Sequence, residues 1–163
     1  MLHNAHQAFV AVALSVATLC GQTASRKTDF SGAWKCDLQA TRIQKGLDLE
    51  EMYGGWANMD IVHRDPEVQV TMISGQHKEP FTLTMRSDGE TRKAIVQGNP
   101  LKSRAFWQDT ALVISWTRKT HTGLTSESRR TLRMSPDGKT IQADLENTRD
   151  GQKTVASEVW KKQ

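Results

Sequence analysis

The sequence predicts an all-β fold, an antiparallel up-and-down meander of about ten strands that closes into a barrel. Three observations carry that expectation. Beyond residue 25, apolar residues recur at every second position in most segments, as in strands with one buried and one wet face. Between these runs fall Asp88-Gly89, Asp137-Gly138 and Asp150-Gly151, pairs in which Gly or Asp takes positive φ at low cost and closes a hairpin. The signals are spaced by roughly 10 to 15 residues, which fits consecutive hairpins and not strand-helix-strand crossovers. A meander this long either closes or leaves two edges open to aggregation, and closure is the usual solution.

The elements follow in chain order. Ala8 to Cys20 form an uncharged apolar run, and the first 25 positions hold no Asp, Glu, Lys or Arg, so residues 1–24 are read as a signal peptide and 25–163 as one exported domain. Small residues suit a cut after Ala17 or after Ala24. Cys20 is the one route to a membrane, if it is lipidated, although Ala17, Thr18 and Leu19 before it fit a lipobox poorly. After cleavage beyond Cys20 a single thiol, Cys36, remains and no internal disulfide forms. The first strand is expected to open at Asp29 to Lys35. One short helix is expected near 47–54, where Asp48 would cap Leu49 to Tyr53 and Gly54 and Gly55 would end it; a plain connecting loop is the competing reading.

Strand phases come from the alternation. Val68, Val70 and Met72 face inward, as do Phe81, Leu83 and Met85. Leu112, Ile114 and Trp116 follow, in a strand buried on both faces near its start; then Ile141, Ala143 and Leu145, and last Val155, Ser157 and Val159. Asp65-Pro66 and Asn99-Pro100 are read as further breaks.

The chain carries 22 Lys+Arg against 18 Asp+Glu among 163 residues, a net charge of +4, in short separate groups. Nucleic-acid binding needs a basic stripe with aromatic platforms, so nucleic acid is not an expected partner. His63, His77 and His121 lack metal-ligand spacing and read as solvent-facing turn residues. No metal or cofactor is expected. There is no G-x-S-x-G, no supported Ser-His-Asp order and no phosphate loop, and the acidic residues Glu50, Glu51, Asp60, Asp65 and Glu67 read as caps and turns. A cavity hydrolase or isomerase is therefore the least favoured class.

The stretch DFSGAWK, Asp29 to Lys35, resembles the opening of lipocalins and of intracellular fatty-acid-binding proteins, the calycin barrels. From Val62 to Lys162 the chain is similar to small exported bacterial proteins grouped as lipocalin-like, in DPEVQVT, GNPLKS, TALVISW and SPDGKTI. The resemblance implies that Gly32 allows close backbone approach, that Trp34 plugs the narrow end, and that a late-strand arginine, here Arg130, packs across that Trp to close the barrel. It also departs from the family. The paired cysteines common among exported lipocalins are missing, and the Arg-x-Tyr clamp of fatty-acid-binding proteins has no counterpart, since the one tyrosine is Tyr53.

Polar interruptions on the inward face, Ser103, Ser128, Ser157 and Asn147, suggest a wet cavity. A small hydrophobic or amphipathic ligand is accordingly expected against Met72, Leu83, Met85, Ile114, Trp116 and Leu145, with Arg130 as polar anchor. The alternative is a filled barrel serving as an interaction or cell-envelope module, recognising its partner through outward Trp56, Trp107 and Trp160. Oligomeric state is left open by the sequence.

Overall fold

Eleven antiparallel strands form one sheet in the computed structural model, which describes residues 27–46, 57–73, 80–119 and 123–163. The expected signal segment with Cys20, the helix near 47–54, Trp56, His77 and His121 lie outside the described residues. The strands are β1 (Gly32–Cys36), β2 (Arg42–Lys45), β3 (Asn58–Arg64), β4 (Glu67–Ile73), β5 (Phe81–Arg86) and β6 (Arg92–Val96). They continue as β7 (Asn99–Gln108), β8 (Ala111–Lys119), β9 (Thr125–Met134), β10 (Thr140–Arg149) and β11 (Gln152–Lys162).

The sheet runs β5-β4-β3-β1-β11-β10-β9-β8-β7-β6 and curls into a nearly closed barrel, as the alternation predicts. Eleven strands replace about ten because one wall position is split. β1 pairs the end of β11 through Trp34↔Lys162 and Cys36↔Trp160, and β2 pairs its upper part through Ile43↔Ala156. Between them the chain turns at 37–41, pinned where the Asp37 amide donates to the Val159 carbonyl at 2.7 Å and the Val159 amide donates to Thr41 Oγ1 at 3.1 Å.

Closure is incomplete between β5 and β6, which are both sheet edges. Asp88-Gly89 therefore does not close a hairpin. Its Gly89 amide donates instead to the Ala105 carbonyl of β7 at 2.8 Å, beside an isolated bridge from Asp88 to Phe106. Charges span the gap: Glu67 Oε1 accepts from Arg86 of β5 at 3.0 Å and from Arg92 of β6 at 3.4 Å.

Asn99-Pro100 is not a break either, for both residues lie in β7 paired to β6. The turn is one dipeptide earlier, where Gln97 and Gly98 have φ of 50° and 75°, the two positive values a tight two-residue hairpin requires.

The inward faces of β4, β5, β8, β9 and β10 are those the alternation predicts, and Leu112 and Val113 are both fully buried where two-sided burial is expected. The phase of β11 is reversed. Thr154, Ala156, Glu158 and Trp160 are buried, whereas Val155, Ser157 and Val159 are half-buried on the outer side. A one-residue slip moves a whole strand to the other face. Here the pattern offered apolar residues at both phases, and a buried acid stood at the correct one.

Candidate functional site

One barrel end is a packed floor. Phe30, Trp34, Met59, Leu112, Leu132 and Ile141 are each fully buried there or just above. Trp34 Nε1 donates to the Phe30 carbonyl at 3.1 Å, and the cation over its ring is Lys162, whose Nζ lies 5.4 Å from the centroid. Gly32 has φ of 145°, and a Cβ placed on it would lie 2.8 Å from Lys162 Cε. Gly32 thus serves the close approach that was expected, but Lys162 takes the position over Trp34 assigned to Arg130.

His63 is also part of the floor, contrary to the turn-surface reading. It is buried at the inward end of β3, its Nδ1 accepting from the Phe30 amide at 3.4 Å and its Nε2 4.0 Å from Asp65 Oδ1. Burial holds its pKa below the usual imidazole value, against the pull of Asp29 and Asp65. Asp65 is lowered to about 2, first by the Ser87 hydroxyl that donates to it and then by Lys27 at 2.9 Å.

Above the floor the interior changes character. Arg130, opposite Leu145, and Glu158, opposite Ala143, project inward from β9 and β11 and meet diagonally across the intervening β10. Strands two apart in a sheet are separated by about 10 Å, and the small alanine leaves room for two long side chains to span it. Arg130 Nε lies 3.0 Å from Glu158 Oε2, Nη2 lies 3.1 Å from Oε1, and Nη1 reaches Met72 Sδ at 3.5 Å. The guanidinium carbon sits 5.6 Å from the Trp116 ring centre and 5.9 Å from that of Trp160, within cation–π range of both. Trp160 Nε1 donates to Glu158 Oε2 at 2.9 Å.

Farther from the floor comes a polar and aromatic layer. The register aligns Ser103, Trp116, Ser128 and Asn147 across β7 to β10, and Ser128 Oγ donates to Asn147 Oδ1 at 2.6 Å. Phe81 packs against Trp116 with ring centres 6.2 Å apart. The strand ends Lys45, Asn58, Ile73, Phe81, Lys119 and Thr125 all lie at this end of the barrel.

The expected ligand residues separate into two groups. Met72 and Trp116 touch Arg130, and Ile114 and Leu145 flank it in the sheet register. Leu83 and Met85 lie farther along β5, where Met85 pairs Val68 opposite His63, so Met85 belongs to the floor. Ser157 points outward and accepts from Gln44 at 3.0 Å, which removes it from the interior set. Trp160 is 1% exposed and Trp107 is half-buried against the core, so neither is the outward tryptophan of an interaction module. Cys36 is buried, its Sγ 3.5 Å from Thr41 Oγ1. Glu158 is the residue that sequence reasoning missed; Trp160 two positions later is the signal for the inward phase.

The nearly closed antiparallel meander with a plugged floor is a calycin-type barrel. Among solved structures it is similar to human cRBP IV, a cellular retinol-binding protein, with TM-score 0.51 and 12% identity over 83% of this chain and 99% of that one. It is also similar to zebrafish ileal bile acid-binding protein complexed with cholic acid, with TM-score 0.54 and 14% identity over 82% and 98%. Secretory abundant heat soluble protein 4 from Ramazzottius varieornatus matches with TM-score 0.51 and 10% identity over 82% and 94%. No family model and no curated protein matches the sequence. At these identities the likeness is one of fold.

Proposed function

We propose that the protein is an exported calycin-type barrel that binds a small hydrophobic or amphipathic molecule in its interior and is not an enzyme. The observation that supports this is the graded interior: a packed apolar floor, then Arg130 between two indoles, then the Ser103, Trp116, Ser128 and Asn147 layer. The inward residues Ala105, Ala143, Ala156, Ser103 and Ser128 are small and buried, the choice of side chains that a ligand-holding barrel makes. Two of the similar barrels carry retinol or bile acid in their names.

The pairing of Arg130 with Glu158 refines the ligand. A carboxylate headgroup would compete with Glu158 for the same guanidinium, whereas a hydroxyl or carbonyl can join the pair without displacing it. The ligand is therefore an uncharged amphiphile, with most of its binding from burial at roughly 25 cal/mol per Å² of apolar surface. Export rests on the uncharged run from Ala8 to Cys20, with cleavage near residue 24 and, as the minor form, lipid attachment at Cys20.

The test is native mass spectrometry with lipid extraction on protein purified from its own host, joined to titration with retinol and with a fluorescent fatty acid. A co-purifying neutral amphiphile, and retinol uptake weakened about tenfold by Trp116→Ala in a folded protein, are expected. A clean apo mass with no uptake of either probe would overturn the reading.

A further inference from the structure

The outer face of the barrel carries a second feature, a concavity of about 430 Å³ across β7 to β10. Register places Arg104, Ser115 and Arg129 in one cross-strand row and Lys102, Thr117 and Glu127 in the next, and all six line it. Arg104 and Arg129 share a platform: their guanidinium carbons lie 5.1 and 5.8 Å from the centre of the Phe106 ring.

Among the described residues neither Lys102 nor Arg104 has a carboxylate within ion-pair distance, and Arg129 donates to the neutral Gln108 Oε1 at 3.4 Å. Elsewhere on this surface Arg133 is matched to Asp144 at 2.6 Å and Arg86 to Asp88 at 2.7 Å. Glu146 stands opposite Arg129 in the register and also lines the groove, but Lys153 holds its carboxylate at 2.9 Å. Two guanidiniums on one ring with no acid between them repel each other, and an oxyanion placed there relieves that repulsion through charge-assisted hydrogen bonds.

We propose that this groove binds an acidic saccharide, a sugar unit bearing a carboxylate or a phosphate. The arginines would take the acidic group. The hydroxyls of Ser115 and Thr117 and the carboxylate of Glu127 supply the mixed donors and acceptors that sugar hydroxyls need. Glu127 argues against a bare polyanion, which it would repel, and in favour of a ligand with hydroxyl donors beside its charge. Ser103, Trp116 and Ser128 of the interior layer also border the concavity, whereas the six side chains named above lie on the opposite, outer phase of their strands.

The test is calorimetric titration of the full mature chain with trigalacturonate, with mannose 6-phosphate and with neutral maltotriose, at low and at high sodium chloride. Expected is binding of at least one acidic sugar about tenfold tighter than maltotriose, weakening as salt rises. Whichever acidic probe binds names the source of the charge. The Arg104→Gln/Arg129→Gln double variant, whose changes lie on the exposed face, should lose that binding by about tenfold or more while keeping the parent's near-ultraviolet dichroism. Glu127→Gln should leave the affinity for inorganic phosphate equal or higher while weakening the sugar. No binding of either acidic sugar, equal affinity for maltotriose, or unchanged affinity in the double variant would overturn the proposal.

Discussion

Arg130 and Glu158 form a two-point ion pair in the barrel interior, with side chains 9% and 0% exposed and bonds of 3.0 and 3.1 Å. Removing water from two charges is expensive, and only near-ideal geometry with further hydrogen bonds offsets the cost. Trp160 supplies one such bond, and the flanking indoles give the guanidinium a favourable surface.

Breaking that pair on one side should be severe. Glu158→Gln leaves a buried guanidinium without its countercharge and is expected to cost on the order of 3–5 kcal/mol, whereas Arg130→Met/Glu158→Leu together should fall near the parent or above it. Urea unfolding of the three proteins reads this. A single variant as stable as the parent would mean that the pair contributes nothing to the fold.

The two crowded glycines should differ in tolerance. At Gly46, φ is 102° and an added Cβ would lie 2.7 Å from Thr154 Cα and 2.9 Å from the Lys153 carbonyl, backbone that cannot step aside. At Gly32 the nearest atom belongs to the flexible Lys162 side chain. Gly46→Ala is expected to lose roughly 2–3 kcal/mol and Gly32→Ala less, as measured by thermal unfolding.

Acid should weaken the protein in two windows. His63 has a folded pKa below its unfolded 6.5, so above pH 6.5 it costs nothing, and as pH falls the unfolded chain takes up the proton first. Stability declines from pH 6.5 toward the folded value, and His63→Gln should flatten that decline in a series of melting temperatures. Asp65, about 2 when folded against 3.8, contributes stability above pH 3.8 that is lost as pH drops toward 2. Asp65→Asn should remove that lower window, and identical pH curves for variant and parent would exclude Asp65 as its source.

The charges across the β5–β6 seam are exposed and should be screened. Glu67→Gln loosens both Arg86 and Arg92, yet surface pairs contribute about 0–1 kcal/mol, so little change in global stability is expected. Amide exchange in β6 should rise locally, with salt giving the parent the same behaviour. Unchanged exchange would leave the seam to backbone contacts alone.

How much of this was legible in the sequence depends on what each residue answers to. The meander and most strand phases follow from local alternation, and so does the inward position of Arg130, because Leu132 and Met134 share its face. The β11 phase failed where Val155 and Val159 outvoted Ala156 and Trp160, since a buried Glu158 makes no sense until Arg130 stands opposite. Likewise the setting of Arg104 and Arg129 depends on register between strands, which puts Ser115 between them and Glu146, drawn to Lys153, opposite Arg129. Hairpins announced by Asp-Gly were right at 137–138 and 150–151 and wrong at 88–89, where closure of the barrel, not the local turn, decides the partner.

The pairing of β1 with β11 has a consequence in time. Thr41 and Val159, bonded across the wall, lie 118 positions apart, and β1 is held between β3 and β11. While the chain emerges from the ribosome, the edge of β1 that awaits β11 stays bare until the last strand arrives. Contacts of such long range slow folding and leave an unpaired edge open to wrong partners meanwhile. A chain of this design gains from delaying closure until its last strand is available, because that strand completes the wall.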